Sequence, residues 1–166
     1  MSPSWAEALG SGVTVYPPGP ASPGHGSPQQ AVAGYVAALE SGDISKMCPY
    51  EDPDLQAVCQ REEAPTTAVE TVKNFHLGYT AVDGSQAVVG YTGSFCSVTK
   101  AVPSSAHSPS AQATTFCNSN SDPAAFLDSG ESFSGMWSVL ANSVLSYNPY
   151  TVAEVNGKWY IRGEGE

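Results

Sequence analysis

The sequence predicts an α+β fold, with N-terminal helices packed in the concave face of a curved, cone-shaped antiparallel sheet and one extra helix before the last hairpin. Three observations carry this expectation. Apolar residues recur at helical spacing between residues 28 and 63, and from residue 71 the period changes to two. The strand-like runs are joined by turn dipeptides, whereas parallel pairing would need helical crossovers. At 166 residues the chain is long enough for one domain with a real core.

Residues 1–26, with Pro17, Pro18, Pro20 and Pro23 among Gly and Ser, are expected to be an extended linker. They lack the apolar periodicity that offsets ordering entropy; pairing of 13–16 as a short edge strand is left open. A single domain is expected over 27–166. Its first helix opens with Ser27 as N-cap, Pro28 in the first turn and Gln30 at the capping-box position. Val32, Tyr35, Val36 and Leu39 form its apolar face, and Gly42 is the expected left-handed terminator. A short helix is expected from Asp43 to Cys48, ended by Pro49. Another follows, capped by Asp52, with Leu55, Val58 and Cys59 on one face.

Residues 71–80 and 86–98 read as strands joined at Asp83-Gly84. With those two residues as the loop, Phe75 opposes Thr92, His76 opposes Tyr91 and Tyr79 opposes Val88. Residues 101–111 read as a loop excursion, and 112–118 as a third strand that brings Cys117 to Cys96. Phe133, Met136, Trp137 and Leu140 predict the extra helix. Residues 150–155 and 158–162 flank Asn156-Gly157 in a final hairpin.

Six Lys and Arg against sixteen Asp and Glu give a net charge of −10. Such a chain is repelled by phosphate backbones and by anionic membrane surfaces, so no nucleic-acid partner is expected. No apolar run approaches the ~20 residues of a membrane-spanning helix. The four cysteines include no Cys-x-x-Cys and no zinc-finger spacing, so no metal is expected. Four cysteines allow three pairings. Cys48–Cys59, closing a helical segment, and Cys96–Cys117, tying two strands, are favoured. Four buried thiols in a cytosolic protein are the alternative, disfavoured by the Ser/Gly/Pro-rich, Lys-poor composition. Residues 1–12 carry no basic start and apolar stretch, so the exported reading expects a signal or anchor removed from this chain.

Three stretches carry a resemblance. One runs from Ala31 to a helix end at Leu39, Gly42 and Asp43; the second comprises the cysteine-bearing helices; the third runs from Tyr150 through Gly157-Lys158-Trp159-Tyr160 to Ile161. Together they resemble the nuclear-transport-factor-two-like (cystatin-like) superfamily over about residues 27–162, and most of all its exported actinobacterial lumazine-binding-like domains of unknown function. The resemblance implies a pocket between helices and sheet, in a protein secreted or anchored to the outer face of a membrane, as a lipoprotein is. It also implies a function drawn from isomerases, cyclases and domains that only bind or dimerise. The helix near 133–140 departs from the simplest family plan.

His76, mid-strand beside Tyr91, is the candidate acid–base pair of a cofactor-free isomerase or cyclase-like enzyme. Family enzymes are expected to place a carboxylate in the cone. The strand runs offer only Glu70, Asp83 and Glu154, none at a position that reads as a buried base. Asp52 and Asp54 suit a helix N-terminus better than a calcium loop. His25 and His107 lie in Gly/Ser/Pro loops and read as solvated. There is no nucleophile elbow, phosphate loop or zinc-protease helix. The aromatic residues read first as core, with Tyr35, Phe75, Tyr79, Phe95 and Trp159 the candidates for lining a pocket. The expected function is therefore an exported, tethered, non-enzymatic binding or protein-interaction domain without a cofactor. Its partner would be a small apolar or cationic ligand or another envelope protein, and its architecture allows a homodimer through the sheet face. The alternative is the enzyme with the His76/Tyr91 pair.

Overall fold

Strand-forming chemistry dominates the described residues from 68 onward, and with one short strand from the N-terminal region it builds one antiparallel sheet in the computed structural model, which describes residues 9–42, 44–61, 68–99, 114–121 and 149–163. Among these residues the strands are β1 (Thr14–Tyr16), β2 (Ala68–Asp83), β3 (Gln86–Thr99), β4 (Thr114–Asn120), β5 (Tyr150–Val155) and β6 (Lys158–Gly163). The order across the sheet is β1-β2-β3-β5-β6. Beyond β2, the other edge of β3 is shared: Gln86–Val89 pairs with β5 and Gly93–Thr99 with β4. The α+β expectation holds. The excursion at 101–111 and the helix expected near Phe133–Leu140 lie outside the described residues.

The long β2–β3 hairpin corrects the expected register. Asp83 pairs with Gln86, so Gly84-Ser85 is the loop. Gly84 has φ +61°. A positive φ on glycine at the first central position is the pattern of a type II′ turn, where Asp83-Gly84 would have required type I′. Two bulges then each insert one extra residue on β2, one between Lys73 and His76 and one between Leu77 and Thr80. The expected offset is therefore met only at the far end, where Val72 pairs with Phe95 and Ala68 with Thr99. In the middle His76 pairs with Thr92 and Leu77 with Tyr91. At the first bulge Asn74 takes φ +55° and Gly93 φ +137°. A Cβ on Gly93 would press on the Asn74 and Lys73 carbonyls at 3.0 Å. Bulges bend and twist a strand, and here they curve the sheet around its helix.

Helix α1 (Pro28–Ser41) is bounded as its caps dictate. Ser27 Oγ accepts the Gln30 N–H at 3.2 Å, and Gly42, at φ +76°, donates its N–H to the Leu39 carbonyl at 3.1 Å. In place of the single short helix expected from Asp43, two 3₁₀ turns follow, Ile44–Lys46 and Cys48–Tyr50, with Pro49 inside the second. Pro49 fits there because the first turn of a helix has no use for its missing N–H. Helix α2 (Pro53–Arg61) starts where Asp52 Oδ1 accepts the Asp54 N–H at 3.0 Å. Leu55, on the face it is expected to share with Val58 and Cys59, is 44% exposed. α2 is instead tied down by the Cys48–Cys59 disulfide (Cα–Cα 5.6 Å) and by Gln56 Nε2 donating to the Glu51 carbonyl at 3.0 Å.

The core lies between α1 and the sheet. Ala31, Val32, Tyr35, Val36 and Leu39 meet Leu77 of β2, Ala87 and Val89 of β3, Tyr150 and Val152 of β5, and Trp159 and Ile161 of β6. Each large apolar side chain buried there contributes about 1.5–3 kcal/mol. Ala81, Val88, Thr151 and Ala153, at the alternate positions, are buried as well, so the centre of the sheet is closed on both faces. The second disulfide, Cys96–Cys117, joins directly paired residues of β3 and β4. Both bridges fit an oxidising, extracytoplasmic environment. Among the described residues no helix is long and apolar enough to cross a membrane.

Candidate functional site

Prolines at 17, 18, 20 and 23 remove four backbone donors, so this segment cannot join the sheet and must be held at its ends. At one end β1 pairs with β2, Tyr16 opposite Thr80 and Thr14 opposite Val82, with Leu9 buried just upstream. At the other end the Gly24 N–H donates to the Gln30 carbonyl at 3.2 Å, and the Trp159 N–H donates to the His25 carbonyl at 2.9 Å. Residues 17–23 thus form a strap anchored on both sides. The described part of the expected linker, 9–26, is not a free spacer.

His25 is the residue that sequence reasoning missed. Its ring stacks on Tyr50 (5.0 Å, 23°) and tilts against Tyr160 (4.8 Å, 43°). Nδ1 lies 2.9 Å from the Trp159 carbonyl, which can only accept, so Nδ1 carries the proton. Tyr50 reaches the stack because position 34 of α1 is glycine: a Cβ there would overlap the Tyr50 ring. His25 and Trp159 are separated by 134 positions in the chain. The one local signal is that Gly24-His25-Gly26 immediately precedes the Ser27-Pro28 helix start.

The strap divides two open grooves. The first, of about 680 Å³, has Ala33, Val36, Ala37 and Glu40 of α1 on one wall and Phe75, His76 and Leu77 of β2 on another, with Pro18, Pro20, Ala21 and Pro23 closing it. Its ionisable lining residues are Glu40, which is exposed near the end of α1, and His76. The second groove, of about 740 Å³, lies by the start of α1, where Gln29 and Gln30 face Tyr16, Val82 and Trp159. Gly19, Pro20 and Ala21 wall both grooves.

The candidate residues are thus distributed. Phe75 lines the first groove and Trp159 the second. Phe95 belongs to an aromatic row in which Phe75 stacks on Tyr91 (5.7 Å), Tyr91 meets Phe95 (5.2 Å) and Tyr91 reaches Tyr150 (5.4 Å). Tyr35 is buried edge-on to Tyr150 at 5.7 Å, and half-buried Tyr79 sits at the second bulge, lining neither groove. His76 and Tyr91 are not brought together. His76 is exposed opposite Thr92, whereas Tyr91 pairs with Leu77, so the two occupy opposite faces of the sheet. Asp52 accepts from the Asp54 N–H and lies 3.4 Å from Arg162 Nε, a helix cap with an ion-pair partner. No three metal-ligating side chains converge among the described residues. Chemically, the first groove is a largely apolar trough that can accommodate an apolar body, with an exposed carboxylate, Glu40, that can pair with a positive charge. Comparisons with family models, curated proteins and solved structures found no match to this chain.

Proposed function

We propose that this chain is a non-enzymatic binding domain, exported and anchored outside the cytoplasm, whose first groove takes an apolar ligand carrying a positive charge. The observation that carries the reading is the make-up of the groove: Ala, Val, Phe, Leu and Pro walls with Glu40 at the rim, in a chain of net charge −10. Apolar walls supply affinity and one polar group supplies orientation, as in most small-ligand sites. The long-range field of the anionic chain draws cations and repels anions. The same reading makes the chain a divergent relative of the nuclear-transport-factor-two-like superfamily. What supports this is that α1 and α2 precede strands β2 to β6, together with the Gly42-Asp43 and Gly157-Lys158-Trp159-Tyr160 stretches.

The test is an NMR titration of the oxidised protein with n-butylammonium and, separately, butyrate. The expected result is ammonium-dependent shifts at Ala33, Val36, Ala37 and Leu77, several-fold weaker in Glu40→Gln. Equal responses to butyrate, or a Glu40→Gln variant that binds as the parent does, would overturn the proposal.

A further inference from the structure

We propose that the two grooves are halves of one cleft, closed at its middle by the 17–23 strap, and that the ligand is elongated: an apolar chain with a cationic head at Glu40 and a tail passing beneath the strap toward Trp159. The inference rests on the binding reading above and deepens it. Both grooves run along the same helix, one beside Gln29 and Gln30 and the other beside Ala33 to Glu40. From Pro28 to Glu40 the helix rises about 18 Å at ~1.5 Å per residue, far more than a compact cation would fill. Gly19, Pro20 and Ala21 are the partition, since they belong to the walls of both halves.

The partition is built to lift. Five of its seven residues are proline or glycine, Pro17, Pro18, Gly19, Pro20 and Pro23, all of them exposed; a Cβ on Gly19 would meet nothing within 4 Å, and Ala21 is half-buried against the core. Its hold on the far side is a small latch, the paired His25 and Trp159 hydrogen bonds with the His25 ring against Tyr50 and Tyr160. Opening the latch releases residues 17–26 while β2 to β6 keep their ladders, which is the low-energy, local kind of opening that binding lids use.

The experiment has two parts on the oxidised protein. In hydrogen exchange of the unliganded chain, the Trp159 amide, a donor at the latch, and the Gly24 amide, freed from the Gln30 carbonyl when 17–26 is released, should exchange together and well before the Val88 and Val152 amides. Exchange of all four only with global unfolding overturns the gate. In NMR titrations with n-decylammonium and n-butylammonium, the decyl chain should shift residues of both halves, Val36 and Leu77 together with Val82 and Trp159. It should bind at least roughly tenfold tighter, because two further buried methylenes suffice for that gain. His25→Ala should tighten decylammonium several-fold and butylammonium not at all, because the strap it frees is also a wall of the Glu40 half. Decylammonium confined to the Glu40 half, or a His25→Ala effect equal for both probes, overturns the elongated-ligand reading and spares the first groove. Absence of binding by either probe overturns both.

Discussion

Substituting Gly34 by alanine tests the packing that positions the latch, because two known effects oppose each other there. In a helix interior the change stabilises by about 1 kcal/mol, since alanine has the higher propensity. Here the new Cβ overlaps two ring atoms of Tyr50, Cε1 and Cζ, and crowds its hydroxyl oxygen, so the ring or the helix must move. Overpacking of this kind costs about 1–3 kcal/mol. If the ring swings out, its stack on His25 is lost as well, about 0.5–1.5 kcal/mol. The cost wins, and Gly34→Ala is expected to destabilise by about 2 kcal/mol, a fall in Tm of roughly 4–8 °C for a chain of this length. The assay is urea unfolding of the oxidised protein followed by circular dichroism, with Tyr50→Ala as second background. Without the ring the clash is gone, and Gly34→Ala should then stabilise by up to about 1 kcal/mol. That reversal of sign is the coupling a double-mutant cycle isolates. A Gly34→Ala effect that stabilises in the parent, or is equal in both backgrounds, would refute the packing of Tyr50 over position 34.

Thr80 Oγ1 is fully buried without a hydrogen-bond partner. Thr80→Val should therefore raise stability by about 1–2 kcal/mol in the same unfolding assay, and a loss would show that the hydroxyl is satisfied. Asp52→Ala removes the α2 cap and should cost about 1–2 kcal/mol. Asp52→Asn keeps a capping oxygen and loses only the pairing with Arg162, which is 55% exposed, for a few tenths of a kcal/mol. Equal losses for the two variants would contradict the capping role. Replacing Cys48 and Cys59 together by alanine removes a cross-link worth about 3 kcal/mol by the chain-entropy model. Hydrogen exchange should then show α2 unprotected and the β2–β3 ladder intact; retained protection in α2 would mean that packing, not sulfur, holds it.

The parts of the fold that were legible are those decided by neighbours in sequence. Ser27-Pro28 and Gly42 bound α1 because capping is local chemistry. Asn156-Gly157 closes the β5–β6 hairpin with φ +53° and +79°, both positive as the turn demands. Both disulfides, Cys48–Cys59 and Cys96–Cys117, fall on the favoured pairing. The middle of β2 was not legible. Its inward residues run Val82, Thr80, Leu77, Phe75, Val72, a spacing of two broken twice, and a reading that assumes constant alternation slips at each break. The site was less legible still. Phe75 and Trp159 line the grooves, yet the strap between them reads as a tether by composition, and the partners of His25 lie on β6 and the second 3₁₀ turn. Nothing in a Pro/Gly-rich segment announces which distant surface will hold it.

The surplus residues of β2 have a consequence for how this hairpin tolerates changes in length. Because a bulged residue has no partner, excising one from positions 74–75 or 78–79 leaves every flanking ladder pair in place and straightens the strand. Excision anywhere else along β2 turns the remainder inside out. Curvature in this family of variants is thus set by a count of residues, and a lineage could flatten or deepen the trough beside α1 by single-codon deletions without rebuilding its interior.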